Sequence, residues 1–120
     1  MNEQAGQLKL ALSIPGHAVT DALRDVVAER QRQKLKYDTE EDDAHVLGEL
    51  GAYAAIYAMP DGCREWDASS TGYGGTLYEA LTPHGWRPIN KKLSRRDELV
   101  RAASLVIAEI ERLDRGGLEE

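Results

Sequence analysis

The sequence contains no phenylalanine, a single cysteine and no apolar run long enough to cross a membrane. A lone thiol, Cys63, cannot form an internal disulfide, which fits a protein of the reducing cytosol. The first residues lack a basic segment followed by an apolar run, so we expect no export signal. These absences argue against a membrane protein or a disulfide-rich secreted domain and favour the cytoplasm.

The composition is that of one globular domain. Hydrophobic residues make up 42% of the 120 residues and charged residues 30%, which is too apolar for a disordered chain. At this length we expect one core. The net charge of −6 argues against extensive nucleic-acid binding, because neutralising many phosphates requires a broad basic face.

The sign of the charge inverts in residues 87–96. These ten residues hold five of the 15 Lys and Arg residues and no acid, which leaves ten bases against 21 acids elsewhere. The tryptophan just before the segment could stack on a base while the cations neutralise phosphate. The predicted ligand-binding residues are Trp86, Arg87, Lys91, Lys92, Arg95 and Arg96. In an alternative that stays open, Trp86 fills the core and the bases pair with the acidic residues 40–43.

Local patterns predict three main helices. The first follows the N-cap Thr20 and extends to residues 34–36, with an apolar face that includes Leu23, Val26, Val27 and Leu35. The second is a central helix over residues 42–58, preceded by a capping-box spacing at residues 39–42 and ended by Met59-Pro60.

The third helix begins after a capping box at Ser94 and runs to residue 115, before the glycines at 116 and 117. Apolar residues repeat in it at alternating spacings of four and three, and Val100 and Ile107 widen this stripe enough to cover a partner helix. The stripe comprises Leu99, Ala103, Val106, Ile110 and Leu113.

The remaining segments predict less regular structure. Residues 8–14 alternate in the period of a half-buried strand, whose partner could be an extended piece near residues 76–81, another subunit or the helical core. Residues 61–93 are rich in Gly, Ser, Thr and Pro, which predicts a long functional loop. Within it, residues 72–76 form either a flexible turn or a phosphate-binding bend.

The predicted fold class is mainly α, with a core of about three helices, an N-terminal strand or extended arm and a long Gly-rich loop before the last helix. The single domain divides into the arm (1–19), two helices (20–60), the loop (61–93), the last helix (94–115) and a tail (116–120). The broad apolar faces favour a homodimer or a higher homo-oligomer.

Two groups of acids could hold a divalent metal. Asp42, His45 and Glu49 lie three and four residues apart and would share one face of the predicted central helix. Glu109, Glu111 and Asp114 form the second group on the last helix, in which Glu111 and Asp114 have an acid-x-x-acid spacing. A helix cap and a solvated helix edge explain the same residues without a metal, so the sequence requires no cofactor.

Several blocks between residues 24 and 115 resemble small accessory proteins of tailed phages and prophages. The blocks are Glu29-Arg30-Gln31-Arg32-Gln33, Asp42-Asp43-Ala44-His45 with Gly48-Glu49-Leu50, Trp86-Arg87-Pro88 and the run from Arg95 to Arg115. The resemblance implies a phage-encoded protein of the bacterial cytoplasm and brings no established reaction. The Gly-rich insertion before Trp86 departs from the family pattern.

The chain is also similar to MazG-like all-α nucleoside triphosphate pyrophosphohydrolases, which hold magnesium with two acidic helix blocks. Glu111 and Asp114 match the second block, whereas Ala44 stands where the first block has an acid. Under this similarity Asp42, Asp43 and Glu49 would complete a Mg²⁺ site.

Three functions follow as hypotheses. The preferred one is a phage accessory protein without catalysis, which binds a nucleotide-like or other phosphorylated small molecule and sequesters a host defence signal. The second is a Mg²⁺-dependent nucleotide pyrophosphohydrolase that uses the five acids of the predicted metal site. The third is an inhibitor that blocks a host protein by direct surface contact.

Overall fold

The computed structural model describes residues 18–36, 48–89 and 91–116. Within them lie five α-helices and one 3-10 turn, Ser69–Thr71. The helices are α1 (Asp21–Lys36), α2 (Glu49–Ala58), α3 (Asp61–Arg64), α4 (Leu77–Leu81) and α5 (Arg95–Asp114). Extended pairing in the described ranges is limited to one antiparallel bridge between Asp67 and Thr76. The mainly helical fold class is therefore confirmed, and the predicted strand at 8–14 lies outside the described residues.

Helix α5 is the element around which the others pack. It contacts α2 most extensively and α1 along a second side, while α4 packs on α2. The buried apolar cluster consists of Ile56 and Tyr57 from α2, Ile89 from the segment before α5, and Ala102 from α5. Within the described ranges, no helix is long and apolar enough to span a bilayer.

The predicted N-caps of α1 and α5 are confirmed. The Thr20 hydroxyl accepts a hydrogen bond from the Leu23 amide at 3.2 Å, and the Ser94 hydroxyl accepts one from the Asp97 amide at 3.1 Å. Each hydroxyl satisfies an amide that the first helical turn leaves without a backbone acceptor. At the other end of α5, Gly116 adopts a φ of 84°, a conformation that favours glycine.

The predicted start of the central helix is wrong. Helix α2 begins at Glu49, because Gly48 adopts the left-handed conformation with a φ of 81°, which interrupts an α-helix. A helical face therefore does not continue from residues 42–47 into Glu49. The capping box at 39–42, together with Asp42 and His45, lies outside the described residues. The predicted end is confirmed, since Met59 is the C-cap of α2.

Residues 61–93 contain the short helices α3 and α4 as well as irregular backbone. Helix α4 occupies the piece near residues 76–81 that was considered as an extended partner for the N-terminal strand, so that alternative is wrong. Thr76 caps α4 by accepting a hydrogen bond from the Glu79 amide at 3.1 Å. A Cβ at Gly74 would lie 2.8 Å from the Ala80 nitrogen, so the turn before α4 needs a glycine for this close approach.

The apolar stripe predicted on α5 is exposed in the subunit. Leu99, Val106, Ile110 and Leu113 retain 45%, 47%, 51% and 37% of their accessible surface. The face predicted for α1 is likewise open at Leu23, Val27 and Leu35. The side chains that α1 and α5 bury are largely polar, namely Arg30, Gln33, Glu98, Ser104 and Arg112, together with Ala102 and Ala108.

Buried ion pairs explain why these polar faces point inward. Arg64 of α3 donates to Glu98 of α5 at 2.8 Å, and its Nε donates to the Ile56 carbonyl of α2 at 3.0 Å. On the other side of α5, Arg30 of α1 donates to Glu111 at 2.7 Å. A buried charge is tolerated only when it is paired and hydrogen-bonded, so these contacts fix how the helices dock.

Replacement of Glu98 by alanine should therefore destabilise the fold strongly. The change removes the buried carboxylate that Arg64 binds and leaves the buried guanidinium with an exposed partner only, which should lower the free energy of unfolding by about 3–5 kcal/mol. Asp61→Ala is the matched control because it removes the other carboxylate that pairs with Arg64. The Asp61 side chain is 88% exposed, so its loss should lower the free energy of unfolding by less than about 1 kcal/mol. Urea unfolding followed by circular dichroism measures both, and equal losses would contradict the prediction.

Candidate functional site

Trp86 joins an aromatic cluster on α2. Its ring meets the edge of the Tyr53 ring at a centroid distance of 5.0 Å, and Tyr53 meets Tyr57 in the same manner at 5.3 Å. The Tyr53 hydroxyl also donates to the Arg87 carbonyl at 2.8 Å. Trp86 is half-buried, so it anchors the chain to α2 while part of its ring stays accessible.

A second anchor lies three residues further along the chain. Ile89 is buried, and its amide donates to the Tyr78 hydroxyl of α4 at 3.2 Å. The Lys91 ammonium lies 5.6 Å from the centre of the Tyr78 ring, within the range of a cation–π contact. Arg87, Lys91 and Lys92 are exposed. The first half of the basic segment is thus fastened to two helices and directs its charges to solvent.

Arg95 makes contacts that the sequence could not reveal. Its Nη1 donates to the carbonyls of Tyr57 at 3.1 Å and Met59 at 3.0 Å, and its Nη2 donates to the Ala58 carbonyl. The last carbonyls of a helix have no intrahelical partner and carry partial negative charge, so a guanidinium there caps α2. Arg95 therefore connects α5 to the end of α2.

Arg96 binds a different helix. Its Nη1 lies 2.7 Å from the Asp25 carboxylate of α1, and about half of each side chain is exposed. Successive residues on a helix point about 100° apart, which is why two adjacent arginines reach opposite neighbours. The six predicted ligand-binding residues accordingly divide into the group at 86–92 and two arginines that hold α5 against α2 and α1.

A cleft of about 270 Å³ lies between α1 and the first turns of α5. Its charged side chains have both signs, namely the acids Asp25, Glu29 and Asp97 and the arginines Arg32 and Arg96. Within it, Arg32 donates to both Glu29 carboxylate oxygens at 2.7 Å. Such a mixed lining selects neither an anion nor a cation. The sequence does not reveal this cleft, because its two walls are far apart in the chain.

The predicted metal ligands are distributed over two helices. Glu49 lies in the first turn of α2, whereas Glu111 and Asp114 lie in the last turns of α5. The Glu111 carboxylate is 2.7 Å from Arg30 and 3.4 Å from Lys34, so it neutralises two cations of α1. Among residues 18–36, 48–89 and 91–116, no three His, Cys, Asp or Glu side chains are grouped to hold a metal ion. Asp42 and Asp43 lie outside these ranges.

No protein-family model, curated protein or solved structure matches the chain. The assignment of a function therefore depends on the described side chains and their contacts.

Ionisation of Glu29 should contribute to stability above acidic pH. Partial burial acts to raise the pKa of this carboxyl, but the hydrogen bonds and charge of Arg32 and the charge of Arg101 together hold the pKa below its ordinary 4.5. A lowered pKa in the folded state gives stability that is present above the unfolded pKa and is lost as the pH falls through the folded pKa. Below pH 4.5, the free energy of unfolding should therefore fall more steeply for the wild type than for Glu29→Gln. Parallel curves from urea titrations at several pH values would contradict this.

Arg95→Ala should destabilise the protein, whereas Arg87→Ala should not. Loss of the Arg95 guanidinium leaves the last carbonyls of α2 with fewer hydrogen-bond donors. Because the Arg95 side chain is partly exposed, the free energy of unfolding should fall by only about 1 kcal/mol. Arg87 exposes its guanidinium and makes its hydrogen bond to Tyr53 through the backbone, which alanine retains. Thermal unfolding of the two variants tests the difference, and a larger loss for Arg87→Ala would refute it.

Proposed function

We propose that the protein is a non-catalytic binding protein that holds a phosphorylated, nucleotide-like small molecule on the basic platform, defined as Trp86, Arg87, Lys91 and Lys92. The observation that supports this most is the fastening of the platform to α2 and α4, while the cations Arg87, Lys91 and Lys92 stay exposed. Residues fixed before a ligand arrives lose less conformational entropy when they bind it.

Charge and shape both favour a phosphorylated ligand. The three cations of the platform lie in a ten-residue segment that has no acid, within a chain of net charge −6. Exposed guanidinium and ammonium groups form charge-assisted hydrogen bonds with phosphate oxygens. The half-buried Trp86 ring offers a surface on which a nucleobase can stack.

Arg95 and Arg96 belong to the scaffold of this site rather than to its ligand contacts. Their guanidinium groups already bind the end of α2 and Asp25 of α1, respectively. Substitution of either arginine would change helix packing as well as charge, so neither is a clean test of binding.

The resemblance to phage accessory proteins extends the proposal to a biological role. A protein that binds a nucleotide without converting it lowers the concentration of that nucleotide in the host cell. We therefore propose that the protein sequesters a host defence signal, a role that requires tight binding and no turnover.

The proposal predicts that Arg87→Ala/Lys91→Ala weakens ligand binding. The wild type is screened by thermal shift against linear and cyclic nucleotides with Mg²⁺, and each stabilising ligand is then titrated calorimetrically. Loss of two charge-assisted contacts should raise the dissociation constant by at least about 10-fold. The matched control Arg24→Ala/Lys36→Ala removes the same charge from exposed positions on α1 and should leave the dissociation constant unchanged.

Three results would contradict the proposal. Unchanged affinity of the platform variant would place the ligand elsewhere. Recovery of a cleaved ligand by mass spectrometry would favour the Mg²⁺-dependent hydrolase. No stabilisation by any nucleotide would favour contact with a host protein.

A further inference from the structure

The exposed stripe of α5 has the pattern of a helix–helix interface. We use "exposed stripe" for Leu99, Ala103, Val106, Ile110 and Leu113, which alternate in spacings of four and three. This spacing is that of the a and d positions of two heptads, the residues that interlock with another helix in a coiled coil. The four larger side chains keep between 37% and 51% of their surface exposed.

The stripe is continuous rather than scattered. Its first and last members are 14 residues apart, which corresponds to about 21 Å along a helix. The other two sides of α5 are taken by α2 and α1. A long apolar row on the third side differs from the single exposed apolar residues that are normal on protein surfaces.

The charges at the two ends of the stripe complement each other. Arg96 lies three residues before Leu99 and extends the row at its N-terminal end, whereas Asp114 follows Leu113 at the C-terminal end. Both side chains are exposed. If a second α5 packs antiparallel on the first, each Arg96 approaches the opposite Asp114. A parallel pair would place like charges together at both ends.

We propose that the exposed stripe docks a second copy of this chain, with the two α5 helices antiparallel across a two-fold axis. A two-fold interface uses the same patch on both subunits, and this patch matches itself in apolar periodicity and in charge. The antiparallel arrangement also places each positive helix N-terminus beside a negative C-terminus. Arg96 keeps its contact with Asp25, because a guanidinium has five donors.

Sedimentation velocity of the full-length protein over a range of concentrations tests the interface. The wild type should be a dimer, and Val106→Glu/Ile110→Glu should raise the dissociation constant at least about 100-fold, because carboxylates buried in an apolar seam are costly. Circular dichroism should show unchanged helicity, since these positions are exposed in the subunit. Leu35→Glu on α1, where the side chain is 87% exposed, should leave the dimer intact.

A charge reversal at Asp114 tests the antiparallel arrangement, because this side chain is exposed and Arg96 keeps its contact with Asp25. In an antiparallel dimer, Asp114→Arg places two cations together at each end of the seam and should weaken the dimer. In a parallel dimer the same change exchanges one pair of like charges for another and should leave the affinity unchanged. Unchanged affinity of Asp114→Arg would therefore overturn the antiparallel geometry.

Other outcomes would overturn the whole proposal. A wild type that stays monomeric at every concentration would refute it. If the protein is monomeric and Val106→Glu/Ile110→Glu lowers its melting temperature, another part of the same chain covers the stripe. An oligomer that persists in this variant would place the interface elsewhere. None of these measurements uses a nucleotide, so they are independent of the proposed ligand.

Discussion

Two carboxylates of α5, Glu98 and Glu111, each pair with an arginine on a neighbouring helix, and the packing of the long helices depends on these pairs. The apolar core of the described residues is small, with Tyr57, Ile56 and Ile89 as its largest members. Arg64 and Glu98 are buried together, and Arg30 is buried beside the partly buried Glu111. Since an uncompensated charge in such a position costs several kcal/mol, displaced arrangements of the helices that separate these pairs are disfavoured.

The features of the fold that the sequence revealed are local ones. The hydroxyls of Thr20 and Ser94 each bond to an amide three residues away, so a four-residue pattern contains all the information needed to locate the helix start. The buried face of α5 is not local. A four-three repeat shows that one face is apolar, but whether that face turns inward depends on partners elsewhere. Glu98 is buried because Arg64, 34 residues earlier, supplies its counter-charge.

The same distinction applies to the candidate site. Composition alone located the inversion of charge in residues 87–96. It could not divide the bases into those exposed to solvent and those used in packing, because that division depends on atoms from other helices. Arg95 caps carbonyls 36 to 38 residues earlier in the chain, and Arg96 pairs with Asp25 of α1. The start of α2 was missed for a different reason, since glycines such as Gly48 occur both inside helices and at their ends.

The three faces of α5 explain why ligand binding at the basic platform and self-association through the exposed stripe can coexist. On one face, Arg95 hydrogen-bonds the end of α2 and Glu98 pairs with Arg64 of α3. Ion pairs hold α1 on the second face, and the exposed stripe occupies the third. Two adjacent arginines in the first turn secure both neighbours, so a partner on the third face need not disturb either contact. The basic platform is fastened separately, through Tyr53 of α2 and Tyr78 of α4. A two-fold dimer through the stripe would therefore carry two platforms, each built by one subunit alone, and ligand binding would not require the dimer.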